Sequence, residues 1–96
     1  MKLEWTAPAL HDRIEIFQYI ARDSVAAATK VDDAFDHQVE QLLDHPTSGR
    51  LGKLIGTREL VVHGLPYIVV YDVNLAIIRI LRVIHTSRDW RGKEDD

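Results

Sequence analysis

The hydrophobic residues of this 96-residue chain change period once, and that switch sets what it can fold into. Up to Leu42 the apolar positions recur at three- and four-residue spacing. From Arg58 to Ile84 they come in three short runs rich in β-branched and aromatic residues. Helical periodicity followed by strand periodicity predicts an α+β domain in which helices cover one small sheet.

Leu3 and Trp5, alternating with Lys2 and Glu4, predict a short first strand, and Thr6-Ala7-Pro8 a helix start. Leu10, Ile14, Phe17 and Ala21, flanked by Ile16 and Ile20, are expected to form the buried stripe of that helix, with Asp12, Arg13, Glu15 and Gln18 turned elsewhere. Asp23-Ser24 can cap a second helix, in which Ala28, Val31, Phe35, Val39 and Leu42 face the core. Asp32, Asp33, Asp36 and Glu40 then read as an acidic outer face instead of a metal site. The two helices form a hairpin. From His45 to Gly56, Pro, Ser and Gly dominate, which predicts a mobile basic loop carrying Arg50 and Lys53; it lacks the complete phosphate-loop pattern.

Three strands are expected next, at Arg58 to Val62, Tyr67 to Val73 and Ala76 to Ile84, with turns at His63 to Pro66 and Asp72 to Leu75. Short connections favour an antiparallel meander, giving the order β-α-α-β-β-β. Arg79 and Arg82, three apart on one strand, should point to opposite faces. The whole of 1–96 reads as a single domain, with 91–96 a frayed tail.

Composition removes several classes of protein. A hydrophobic fraction of 46% argues against disorder, and zero cysteines exclude disulfides and thiolate sites. No apolar run reaches membrane-span length and the first residues lack a signal-peptide core, so a soluble cytoplasmic protein is expected. The net charge of −3 is unevenly spread. Residues 1–45 carry four Lys/Arg against nine Asp/Glu, whereas 46–96 carry eight against six, so the second half is the side able to meet an anion.

The element order, with the strings Arg58 to Val62, Tyr67 to Tyr71 and Ile80 to His85, resembles the RelE/ParE superfamily of type II toxin-antitoxin toxins. The ending from Arg82 through His85 and Arg88 to Trp90 is similar to the ParE-like, plasmid-stabilisation branch. The resemblance implies a toxin that inhibits bacterial growth until a cognate antitoxin neutralises it. Two kinds of target are known across the family: DNA gyrase, and messenger RNA on the ribosome. RNA-cutting members place an arginine after the first tyrosine of the strand matching Tyr67 to Tyr71, and lysines on the strand before it. Here those places hold Ile68 and a strand with one arginine and no lysine.

The expected function is therefore ParE-like gyrase poisoning by binding, without cofactor or metal. The alternative is a metal-independent ribonuclease using His85 with Arg82, Arg58 or Arg88, and loosely His63, because histidine titrates near neutrality and the arginines can stabilise phosphorane charge. A third possibility is an inactive relative acting as a binding or co-repressor partner. Each candidate also has a structural reading. His85 could bond a loop carbonyl, His63 could be a solvated turn residue, and Arg82 could be an ion-pair partner; Arg58 and Glu59 each need their own partner. Tyr67 and Tyr71 read as packing residues. The expected partner surface comprises Arg50, Lys53, Arg58, Arg82, His85, Arg88 and Trp90 with the helical flank Ile16, Phe17 and Ile20. An acidic-apolar antitoxin segment that folds on contact would cover it as a helix or an added strand. The resemblance implies a hetero-oligomeric complex that meets operator DNA only through the antitoxin.

Overall fold

Thr6 starts the first helix as expected: its hydroxyl accepts from the Ala9 N–H at 3.4 Å, and Pro8 fills the first turn, where no N–H is needed. Before it lies strand β1 (Lys2–Trp5), and after it helix α1 (Ala7–Ala21). Ser24 caps helix α2 (Val25–Glu40) by accepting from Ala27 N–H at 3.1 Å. Strands β2 (Arg50–Leu51), β3 (Arg58–Val61), β4 (Tyr67–Asn74) and β5 (Ile77–His85) follow, and a 3-10 turn spans Thr86–Arg88. This computed structural model describes residues 1–88, so Trp90 and the proposed tail 91–96 fall outside the described residues.

The five strands form one sheet in the order β1-β5-β4-β3-β2, with β1 parallel to β5 and the other pairs antiparallel. Alternation places Leu3, Trp5, Tyr67, Val69, Tyr71, Ile78 and Ile80 on the face covered by the helices. Ala9, Phe35, Val39 and Leu42 pack against them, so the α2 stripe read from spacing is the one that is buried.

In α1 the buried stripe is not the expected one. Leu10 is 45% and Ile14 55% exposed, while Ala9 and Asp12 are buried and Ile16 packs on the core. The helix carries two apolar stripes roughly a quarter-turn apart, and the core takes the one that contains Asp12 and Arg13. Both charged residues are matched by distant partners. Arg13, its side chain only 12% exposed, bonds Asp32 and Asp36 at 2.8 to 3.1 Å and lies 4.5 Å over the Trp5 ring. Part of the expected acidic outer face of α2 is therefore a clasp between the helices, and its bonds hold the Arg13 guanidinium above its ordinary range despite burial.

Two further expectations fail for geometric reasons. In the β4/β5 ladder Val70 faces Arg82 and Tyr71 faces Ile80, which leaves Leu81 as a bulge. One extra residue reverses the alternation, so Arg79 and Arg82 share the face away from the helices instead of opposing each other. The turn between these strands is Leu75-Ala76, both at positive φ (49° and 63°), so β4 runs through residues expected to turn.

The basic loop is also more ordered than its composition predicts. Glu59, 1% exposed, bonds the Arg50 guanidinium at 3.0 Å and the Lys53 N–H at 3.2 Å, holding Arg50–Leu51 in the sheet as β2. Arg58 points the other way and donates to the carbonyls of Thr47 and Gly49 at 3.2 and 2.8 Å. The Tyr71 hydroxyl donates to Pro46 C=O at 2.8 Å and accepts from Gly49 N–H at 3.0 Å. A Cβ on Gly49 would sit 2.7 Å from that oxygen, so only glycine fits.

Candidate interaction cleft

A parallel strand shorter than its neighbour leaves part of that neighbour uncovered. β1 pairs with β5 only from Ile77 to Ile80, after which Thr6 donates its N–H and hydroxyl to Ile80 C=O and the chain enters α1. Past this point α1 runs beside the edge of β5. Asp12 satisfies that edge, accepting from Val83 N–H at 2.9 Å and from Arg82 Nε and Nη2 at 2.7 and 3.0 Å. This bidentate bond, more than the charge itself, raises the Arg82 guanidinium above its ordinary value, so Arg82 is a permanent cation.

Between α1, the β5 edge and the Thr86–Arg88 turn lies a cleft of about 600 Å³. Glu15, Ile16 and Tyr19 line one wall; Arg82, His85, Ser87 and Arg88 line the other, with Tyr67 between them. Tyr67 meets Phe35 and His85 edge to face, with ring centroids 5.4 and 5.3 Å apart. Burial raises its phenol above the ordinary value, which keeps it a neutral donor.

Among the described residues, the partner of the His85 ring is Ser87 and not a loop carbonyl. Its Nδ1 accepts from Ser87 N–H at 3.0 Å and lies 2.8 Å from Ser87 Oγ. A nitrogen that accepts a backbone N–H keeps its lone pair, so the neutral ring carries its proton on Nε2. The nitrogen left for a ligand is thus a donor.

The fold brings Ile16, Arg82, His85 and Arg88 together and separates the other candidates from them. Arg50, Lys53 and Arg58 lie beyond β4, with Arg58 committed to loop carbonyls and Arg50 to Glu59. His63 has an exposed ring, and its backbone exchanges two bonds with the Gln38 side chain, at 2.8 and 3.2 Å. Phe17 and Ile20 are half-buried on α1. Ile68, at the position where RNA-cutting relatives place arginine, is 1% exposed on the face away from the helices, as is Val70. Asp12, Glu15, Tyr19 and Ser87 are missing from the sequence-based site; Asp12 had no local signal, since its partners are 70 and 71 residues away.

Residues 3–90 match the family model described as the ParE toxin of the type II toxin-antitoxin system, parDE. The chain is 37% identical over 89 residues to a Sinorhizobium fredii protein named "Putative toxin Y4kP", covering 93% of this chain and 92% of that one. It is 34% identical over 84 residues to Toxin RelE2 of Caulobacter vibrioides, covering 88% and 93%. Among solved structures it resembles the chromosomal ParDE TA system from P. aeruginosa, with a TM-score of 0.79 and 27% identity over 88% of this chain and 95% of that one. An α+β fold with this element order and a sequence match running nearly end to end place the chain in the ParE family of type II toxin-antitoxin toxins.

Proposed function

We propose that this toxin arrests growth by binding DNA gyrase, not by cutting RNA. The observation that carries the reading is the chemistry of the sheet face away from the helices. Where a ribonuclease of this superfamily needs clustered cations for phosphorane charge, Ile68 and Val70 are apolar and buried, and Arg82 is already matched by Asp12. His85 offers a protonated Nε2, which is the wrong form for a general base at that atom. Inducing the chain alone in a bacterium should stop growth with DNA breaks and a damage response. Transcripts cut at codon-defined positions, without DNA breaks, would overturn this reading.

The ribonuclease alternative draws support from one feature: His85, Arg88 and two tyrosines share the cleft. In that reading Nε2–H of His85 acts as the acid, and His85→Ala abolishes arrest.

The antitoxin is proposed to cover this end of α1. Leu10 and Ile14 are exposed on α1 and the half-buried Phe17 and Ala21 continue their stripe, the cleft adjoins α1, and Arg88 adds a cation at its rim. An acidic-apolar segment that folds on this stripe as a helix buries it. Operator DNA is then reached through the antitoxin alone.

A further inference from the structure

Two hairpin tips project from the end of the sheet remote from the cleft. Leu51 pairs with Arg58, which in turn pairs with Tyr71, so the loop joining β2 to β3 points the same way as the turn joining β4 to β5. With strands about 4.8 Å apart, the tips stand roughly 10 Å from each other. Their side chains are apolar and exposed: Ile55 104%, Leu75 88%, Leu51 69% and Leu54 53%, with Val73 at 38% beside them. Such residues cost solubility, and five in one place are unusual on a domain this small.

The β4–β5 tip adds an independent sign of use. A two-residue turn with both φ values positive suits Asn-Gly, yet here Leu75 and Ala76 hold it at 49° and 63°. The fold therefore tolerates backbone strain to display a leucine at an exposed apex. Charge supplies the partner's character. Residues 46–59 carry Arg50, Lys53 and Arg58 against Glu59, which pairs with Arg50, so this hairpin keeps a net charge of +2 within a molecule of net charge −3. Projecting knobs fit a concavity, so a partner that offers a pocket covers them better than a second copy of the same knobs.

We infer that the paired tips around Ile55 and Leu75 are a docking surface for a second protein that presents an apolar cleft edged by carboxylates. This rests on the growth-arrest reading in one respect, that the occupant is the macromolecule whose engagement stops growth. The antitoxin stripe on α1 and the cleft remain a separate surface, so the tips could be altered without loss of neutralisation.

The test uses the full chain with a photo-crosslinking residue at position 55, 75 or, as a control on the outer face of α2, 33. Positions 55 and 75 should give one common protein adduct during arrest, absent at 33 and weakened by Lys53→Glu. Leu75→Asn/Ala76→Gly, which suits the turn, and Leu54→Ser/Ile55→Ser should stay folded by circular dichroism. Each should need at least tenfold more toxin for arrest. Undiminished arrest by both folded variants, or no common adduct, overturns the docking surface. A wild-type dimer lost in both variants shows that the occupant is a second copy, and tip-dependent binding to phosphatidylglycerol vesicles shows that it is lipid; either overturns the inference. If the wild type leaves growth unaffected but the common adduct forms, the toxin reading fails and the docking surface stands.

Discussion

Asp12 does the work of three bonds with one carboxylate, and its replacement has consequences beyond a lost ion pair. Asp12→Ala leaves a buried Val83 N–H without an acceptor and strips Arg82 of its partner. Because the Arg82 side chain is 48% exposed, water compensates much of its charge, so the backbone orphan dominates. A loss of about 2 to 3 kcal/mol is expected in urea unfolding; a change below about 0.5 kcal/mol would show that the edge is satisfied some other way. Tyr71 gives a pH signature. Burial pushes its phenol above the ordinary 10.0, against the smaller opposing pull of Gly49 and Arg58. The folded chain thus holds this proton more tightly than the unfolded one, so the contribution is complete below pH 10.0 and is lost as pH rises through the folded value. Tyr71→Phe should cost about 1 to 2 kcal/mol at neutral pH by unpairing Gly49 N–H and Pro46 C=O. It should also make the alkaline fall in stability shallower, as read from denaturation midpoints between neutral pH and pH values above 10.0.

Among the elements, the β4–β5 hairpin stores the clearest strain. Left-handed backbone costs an L-residue about 1 to 2 kcal/mol, less for residues that tolerate it. Leu75→Asn/Ala76→Gly should therefore stabilise the fold by about 1 to 2 kcal/mol, raising the melting temperature by roughly 4 to 16 °C for a domain of this size. An unchanged or lower melting temperature would mean that Leu75 makes a compensating contact. Helix α1 shows the opposite economy. Its stripe of Leu10 and Ile14 contributes little to the core, so Leu10→Lys/Ile14→Lys should shift stability by less than about 0.5 kcal/mol. The same pair should weaken antitoxin binding at least tenfold in titration calorimetry, and unaltered affinity would place the antitoxin elsewhere.

For the whole molecule, the division of charge separates steering from holding. In the antitoxin complex proposed above, the acidic hairpin and the more basic second half orient the acidic-apolar segment, while buried apolar anchors, each worth about 1.5 to 3 kcal/mol, keep it bound. Ion pairs at an exposed rim add only about 0 to 1 kcal/mol. Raising salt should accordingly slow antitoxin association much more than it speeds dissociation in stopped-flow and surface-binding measurements. A collapse through the off-rate would put buried charge pairs, not apolar anchors, at the centre of that interface. None of the described helices is long and apolar enough to cross a membrane.

Local chemistry determined what could be read along the chain: the caps at Thr6 and Ser24, the core stripe of α2, the antiparallel run from β3 to β5 and the α+β class. Each depends on residues within a turn or two of one another, where spacing and side-chain type suffice. The cleft depended on longer reach. Asp12 and Arg13 lie inward only because Arg82, Asp32 and Asp36 wait for them, and sequence spacing reports nothing about a partner 70 residues away. Glu59 likewise draws β2 out of what reads as a loop. The bulge at Leu81 moves Arg82 onto the same face as Arg79, because a strand's side chains alternate with period two and one inserted residue reverses every position beyond it. Tertiary pairing alone decided which of two apolar stripes on α1 faces the core, and so left Leu10 and Ile14 exposed.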